Sequence, residues 1–106
     1  PGTVINSEAE IGNHCILNTN SSLEHNCIMN NFSSFAPGVT TGGHINIGQF
    51  SAITIGVTIF DRIKIGVNVV VGSGSTVTND LEPNYLYYGT PAKKIRPRKL
   101  TDKFLK

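Results

Sequence analysis

Large apolar residues return at every sixth position along most of the chain. Only Thr41 departs from the series, which runs Ile5, Ile11, Leu17, Leu23, Met29, Phe35, Thr41, Ile47, Ile53, Ile59, Ile65, Val71 and Val77. The residues four places further on are mostly small and never charged, from Ala9 through to Leu81. A period of six fits neither an α-helix nor a simple alternating strand. It predicts short strands separated by corners, with both series filling one interior.

Three such strands close a triangular coil of 18 residues, and the chain holds about four coils. Each coil stacks on the one below at about 4.8 Å, with backbone hydrogen bonds along the axis. An ordinary β-sandwich is the alternative, which the unbroken phase of the repeat disfavours. We expect the corners at the Gly and Asn residues that directly follow the large ones, because these tolerate a positive φ. They are Gly12, Asn18, Asn30, Gly42, Gly48, Gly66 and Gly72.

The repeat ends near Leu81, and a turn signal follows at Glu82-Pro83-Asn84. We predict an all-β domain over residues 1–82 and a C-terminal capping segment with a basic tail over 83–106. The aromatic run 85–88 is expected to pack on the last coil, because an open coil end exposes apolar side chains and strand edges. Residues 100–106 are expected to form a short helix.

Composition narrows the possible partners. Charged residues make up 15% of the chain and the formal net charge is +2, too small to indicate nucleic acid. We expect no membrane partner, because no apolar run is long enough to cross a bilayer and no signal peptide precedes the repeat. The only methionine is Met29, so we expect the chain to be a piece of a longer protein.

Cys15 and Cys27 are two hexads apart and fall on different faces of the coil, so we expect free thiols in a reducing, cytoplasmic compartment. A basic cluster lies near the C-terminus and is either a solvated tail or in part a phosphate contact. It comprises Lys93, Lys94, Arg96, Arg98 and Lys99.

His25 is the strongest candidate for chemistry. Gly43 lies one coil above it, inside the only segment where the interior pattern fails. An imidazole beside a glycine N–H suits acyl transfer, because the ring removes a proton from the acceptor and the N–H stabilises the oxyanion. Glu24 or Asn26 is placed to orient the ring.

The other two histidines, His14 and His44, have weaker cases. The three histidines are spread widely along the chain and leave no close pair of ligands, so we expect no zinc or other metal. His14 is expected to be a solvated turn residue.

Several segments together resemble the NeuD/PglD-like sugar acetyltransferases, which belong to the hexapeptide-repeat acyltransferases. They are Ile16–Thr19, Leu23–Ile28, Gly42-Gly43, the hexads from Ile47 onward, and Tyr88–Lys93. This resemblance implies a left-handed parallel β-helix, a hand that the spacing alone does not decide. It also implies transfer of acetyl from acetyl-CoA to an amino or hydroxyl group of a sugar, either a nucleotide-linked amino sugar or sialic acid, by a homotrimer.

The resemblance also implies roles for single residues. His25 matches the general base, Gly43 the oxyanion donor, and Asn18 a polar residue near the base that binds substrate. Acetyl-CoA is expected in a groove between subunits, with the basic tail near its phosphates. Besides Gly43, the groove is expected to be lined by Ile55, Gly72, Ser73, Pro91, Ala92 and Lys93.

This chain departs from the family in three respects. Asn26 stands where an acidic residue usually follows the base, and residues 59–62 lack a common proline. The N-terminal βαβ domain, which helps to bind the sugar nucleotide, is absent from these residues. Two alternatives therefore remain open: a trimeric scaffold without catalysis, and an acyltransferase with a non-sugar acceptor.

Overall fold

The structure, a computed structural model, describes residues 4–5, 9–18 and 20–99, with only the backbone described for 4–5. The helix expected over 100–106 lies outside these residues. The described part is all β, and no helix in it crosses a membrane. Its strands are β1 (Val4–Ile5), β2 (Glu10–Ile11), β3 (Ile16–Leu17), β4 (Ser22–Leu23), β5 (Ile28–Met29), β6 (Ser34–Phe35), β7 (Thr40–Thr41), β8 (Asn46–Ile47), β9 (Ala52–Ile53), β10 (Thr58–Ile59), β11 (Lys64–Ile65), β12 (Val70–Val71), β13 (Thr76–Val77), β14 (Tyr85–Tyr88) and β15 (Lys93–Pro97).

The strands stack in parallel into three faces. Face 1 holds β1, β4, β7, β10 and β13; face 2 holds β2, β5, β8 and β11; face 3 holds β3, β6, β9, β12 and β14. Each strand pairs with the strand three hexads further along the chain, as in Val4 opposite Ser22 and Thr58 opposite Thr76. The predicted coil of three hexads is therefore confirmed.

Three corners join the faces: the first joins faces 1 and 2, the second faces 2 and 3, and the third faces 3 and 1. The left-handed residue of each corner comes three places after the large interior residue, not one place after it as expected. Residues with φ between 57° and 77° recur every six positions, at His14, Asn20, Asn26, Phe32, Gly38, His44, Phe50, Gly56, Arg62, Asn68 and Gly74.

The residues directly after the large ones serve the stacking of coils instead. A Cβ on Gly48 would lie 2.4 Å from the carbonyl oxygen of Gly66, and Gly12, Gly42, Gly66 and Gly72 are similarly crowded. Where asparagine stands, its amide donates to a carbonyl of the next coil, as Asn30 Nδ2 does to Ile47 O at 2.7 Å. Expecting corners here was wrong, because the constraint is close approach between coils rather than a positive φ.

Both apolar series fill the interior. Residues from Leu23 to Val77 at the large positions are buried, and the small residues from Ser21 to Ser75 are buried beside them. Ile11, near the lower end, is 38% exposed because fewer coils cover it. The core is one continuous column of apolar side chains.

The upper end closes by shortening the repeat. Leu81 bridges to Ile65 and Tyr87 pairs with Val71, so the last coil is two positions shorter than the coils below it. Leu81 thus takes the place of a large interior residue rather than a small one. Tyr87 is buried and its hydroxyl accepts the Glu82 N–H at 2.8 Å, which confirms that an aromatic residue packs on the last coil.

Two members of the basic cluster hold this cap in place. Arg98 is buried and donates from Nη2 to Asn68 Oδ1 at 3.2 Å. Lys94 donates to Glu82, a hydrogen bond that raises the pKa of the Lys94 ammonium above its usual value. These two members of the cluster thus make contacts within the cap, and a phosphate contact by part of the cluster stays a prediction.

Gly48 and Gly56 test whether close approach between coils or a positive φ is the stronger constraint on a glycine, because Gly48 is crowded and Gly56 is not. Gly48→Ala should lower the free energy of unfolding by about 2–3 kcal/mol, because its Cβ meets backbone of the next coil. In Gly56→Ala the added Cβ has no atom within 4 Å. The free energy of unfolding should therefore fall by only about 1 kcal/mol, because alanine is disfavoured at a φ of 69°. Urea unfolding at one protein concentration measures both, and equal losses would contradict this account.

Candidate active site

His25 and Gly43 meet at the first corner. The His25 ring lies over the Gly43 backbone, so that a Cβ on Gly43 would be 3.0 Å from Cε1 and 3.1 Å from Nε2. The stacking predicted from their spacing of one full coil is present. Glycine is needed here because any side chain would displace the ring.

Asn26 fixes one edge of this ring. His25 Nδ1 lies 3.1 Å from Asn26 Oδ1. An amide oxygen only accepts, so Nδ1 carries the proton in the neutral ring and Nε2 keeps the lone pair that a general base needs. Of the two residues predicted to orient the ring, Asn26 makes this contact. Glu24 is half-buried beside it, and its backbone N–H donates to Thr41.

Thr41, the exception to the interior pattern, alters the backbone ladder below Gly43. Its hydroxyl accepts the Glu24 N–H at 3.3 Å and donates to Ser22 O at 3.4 Å. Face 1 is divided at this point, with β1 and β4 in one sheet and β7, β10 and β13 in another. The Thr41 hydroxyl thus lies between two coils, at a position where a backbone N–H would otherwise donate to a backbone carbonyl.

Hydrogen bonds to the adjacent coils also fix Gly42 and Gly43, which lie above His25. The Cys27 thiol donates to Gly42 O at 3.3 Å, and the Gly42 N–H donates to Ile59 O at 2.8 Å. Gly43 O accepts the Arg62 N–H at 2.9 Å, whereas no described residue accepts a hydrogen bond from the Gly43 N–H. That N–H beside an imidazole is the arrangement that stabilises a developing oxyanion.

A second feature lies along face 3 and the third corner. It is an apolar groove of about 490 Å³ that reaches from Ile16 to Leu86. Three of the residues predicted to bind the acyl donor line it together: Ile55, Gly72 and Ser73. Asn18 lines its lower part, where its amide donates to Phe35 O at 3.2 Å.

The C-terminal segment adds to the upper end of this groove. Ser73 also lines a smaller cavity of about 240 Å³ with Tyr88, Gly89 and Thr90. Pro91, Ala92 and Lys93 follow directly, and the Ala92 N–H donates to Thr76 O at 2.8 Å. Lys93 is exposed there, so it is a candidate for contact with a phosphate.

One chain therefore divides the predicted site residues between two corners. His25, Asn26, Glu24 and Gly43 lie at the first corner, and the donor residues lie at the third. Asn18 does not lie beside His25 within the chain, because the segment between them leads from one corner to the next.

Sequence reasoning missed two features. The His44 ring stands edge-on to His25, with ring centroids 5.2 Å apart. At the second corner His14 is an exposed turn residue, as predicted, but its ring also stacks on Phe32 at 4.9 Å, and Phe32 stacks on Phe50 at 5.2 Å. The sequence spacing could have predicted that these rings are neighbours, because the two members of each pair are about one coil apart and so lie on adjacent coils.

The part of the chain that the structure describes has neither a metal-binding cluster nor a disulfide. Within the described ranges 4–5, 9–18 and 20–99, no three His, Cys, Asp or Glu side chains converge to hold a metal ion. Cys15 and Cys27 are free thiols, and Cys27 is buried. The site is therefore built from imidazole, amide and backbone groups.

Comparison with known proteins gives consistent relatives, although no protein-family profile matches the chain. A Schizosaccharomyces pombe protein named as an acetyltransferase is 37% identical over 86 residues, 81% of this chain and 42% of that protein. A galactoside O-acetyltransferase of Escherichia coli K12 is 41% identical over 58 residues, 55% of this chain and 26% of that protein. The chain thus spans less than half the length of either relative.

Solved structures agree in fold. A serine acetyltransferase from Neisseria gonorrhoeae superposes with a TM-score of 0.86 at 30% identity, over 92% of this chain and 43% of that one. A GDP-perosamine N-acetyltransferase from Caulobacter crescentus, solved with CoA and GDP-perosamine, superposes at 0.80 and 20% identity, over 90% of this chain and 54% of that one. The fold is therefore the left-handed parallel β-helix, as the resemblance implied. The chain belongs to the hexapeptide-repeat acetyltransferases.

A double-mutant cycle tests the contact between His25 and Gly43. Gly43→Ala keeps the N–H but pushes the ring aside, so acetyl transfer should slow about tenfold with little loss of stability. In a His25→Ala background the same change should have no further effect, because the ring is gone. Equal effects of Gly43→Ala in both backgrounds would show that the ring does not depend on this contact.

Proposed function

We propose that this chain transfers acetyl from acetyl-CoA to an amino or hydroxyl group of a sugar, with His25 as general base. The observation that carries the proposal is the His25 imidazole lying over Gly43, whose N–H has no acceptor among the described residues. The family membership and the apolar groove at the third corner support an acyl donor of the CoA type.

The chemistry follows from these groups. The nitrogen or oxygen of the acceptor attacks the thioester carbonyl, and His25 Nε2 removes the proton from that acceptor amine or hydroxyl. The Gly43 N–H stabilises the oxyanion of the tetrahedral intermediate. Collapse breaks the C–S bond, and the CoA thiolate takes the proton from the imidazolium. Asn26 holds Nδ1–H throughout, although as a neutral amide it adds no charge to stabilise that imidazolium.

We further propose that the working unit is a homotrimer. The second corner carries the half-exposed stack of Phe32 and Phe50, which are 49% and 45% exposed. If three copies place this corner at a three-fold axis, face 3 of each copy meets face 2 of the next. The third corner of one copy then lies next to the first corner of its neighbour, so the groove approaches the neighbour's base.

A sugar acceptor is favoured by the GDP-perosamine enzyme among the fold neighbours and by the segment around His25. Serine acetyltransferases share the same fold, so the acceptor needs its own experiment. Thiol release from acetyl-CoA should be fastest with a nucleotide-linked amino sugar, in a panel with a simple galactoside, serine and chloramphenicol. Faster release with serine would instead establish the non-sugar alternative.

Replacing the proposed base tests the mechanism. His25→Ala should lower the rate of acetyl transfer by about 10²–10⁴-fold, the usual contribution of a general base, with CoA affinity nearly unchanged. His14→Asn is the matched control. Because His14 stacks on Phe32 at the second corner, light scattering must first show that this variant is still a trimer, and that trimer should keep the wild-type rate. Unchanged turnover of His25→Ala would remove this residue from its role.

Replacing the aromatic stack tests the trimer. Phe32→Asn with Phe50→Asn should give monomers and weaken CoA binding, because the groove loses its second wall. Asparagine suits these positions, whose φ values are 64° and 62°, since Asn20 and Asn26 occupy equivalent ones. Thr58→Asn, at an exposed position on face 1, which meets no neighbour in the proposed trimer, should leave the mass unchanged by light scattering.

Two outcomes would count against these proposals. A double variant that remained trimeric would exclude the second corner as the axis. A wild-type trimer that neither binds CoA by calorimetry nor releases thiol would favour the non-catalytic scaffold. Thiol release is measured with each acceptor of the panel, so that the absence of one acceptor is not mistaken for the absence of activity.

A further inference from the structure

His44 is the nearest aromatic neighbour of the proposed base and has no part in the reaction described above. The two imidazole rings meet at 89°, with centroids 5.2 Å apart. His44 follows Gly43 directly, so its side chain leaves the backbone beside the point where the His25 ring rests. The base therefore lies in a niche formed by a glycine on one side and an imidazole on another.

The main chain fixes the two residues to each other. The His44 N–H donates to His25 O at 3.2 Å, across the boundary between adjacent coils. His44 is the left-handed residue of its corner, with a φ of 60°, so its Cα–Cβ direction is set by the turn. The position of the His44 ring is thus coupled to the coil that carries His25.

The His25 ring needs such support because it is exposed and has one polar contact among the residues that the structure describes. Its contact through Nδ1 to Asn26 fixes one edge at 3.1 Å. A neutral amide binds an imidazole more weakly than a carboxylate does. The ring can rotate away from Gly43 around that single hydrogen bond unless a second group blocks the movement. An edge-to-face aromatic contact provides such a barrier.

We propose that His44 is a positioning residue that holds the His25 imidazole over the backbone of Gly43. This inference rests on the proposed function of His25 as the base. His44 acts through the shape of its ring and exchanges no proton with the substrates. Two properties follow: the ring matters rather than its nitrogens, and its loss affects turnover rather than donor binding.

A matched pair of substitutions separates the ring from the turn. His44→Asn removes the ring and keeps a residue that tolerates a φ near 60°. His44→Phe keeps an aromatic ring of similar size, and Phe32 and Phe50 show that this chain holds phenylalanine at equivalent corner positions. Steady-state kinetics should be measured with acetyl-CoA and the best acceptor from the panel, together with calorimetric CoA affinity.

His44→Asn should lower kcat by about 3- to 10-fold, with KM for acetyl-CoA and CoA affinity unchanged. His44→Phe should restore at least half of the wild-type kcat. The inference is overturned if His44→Asn has wild-type kcat, if it raises KM alone, or if His44→Phe is as slow as His44→Asn. If wild type transfers no acetyl, or His25→Ala is as active as wild type, the proposed function itself has failed.

Discussion

The whole structure depends on the close stacking of three-hexad coils through backbone hydrogen bonds. The N–H groups of one coil donate to carbonyls of the next, as Gly12 does to Met29 at 2.7 Å and Gly48 to Ile65 at 2.8 Å. The coils approach so closely that a Cβ is excluded at Gly48. Side chains therefore either point inward to the apolar column, or align outside in columns whose members are one coil apart. His25 and Gly43 of the candidate site lie in one of these outer columns.

The candidate site uses that alignment together with one exception to it. His25 and Gly43 meet because one full coil of sequence separates them, so no loop or insertion is needed to bring them together. The exception is Thr41, whose hydroxyl enters the ladder between β4 and β7 just before the two glycines. A large apolar residue would have filled the interior but supplied no such hydrogen bonds. The site thus lies where one regular backbone hydrogen bond between coils is replaced by a hydrogen bond to the Thr41 side chain.

This alignment explains which features were predictable from the sequence. The core and the contact of His25 with Gly43 follow from arithmetic on a period of six, and both are present. The corner positions do not, because the left-handed residues include Phe32 and Arg62, types that give no sign of a positive φ. The shortening of the last coil at Leu81 depends on Tyr87 filling the end, a fit between distant side chains. Spacing places His44 on the coil next to that of His25, but the edge-on orientation of the two rings depends on side-chain directions that spacing does not give.

The second corner carries two phenylalanine rings that a single chain buries only in part. Phe32 and Phe50 adopt a left-handed backbone conformation, which costs about 1–2 kcal/mol for each ordinary residue. Asparagine at the same positions lowers that cost, as at Asn20 and Asn26. Because both rings are about half exposed, their stacking recovers only part of the burial available to phenylalanine. In the proposed trimer, burial against other copies would supply the remainder, and the same assembly would bring the groove of one chain to the base of the next.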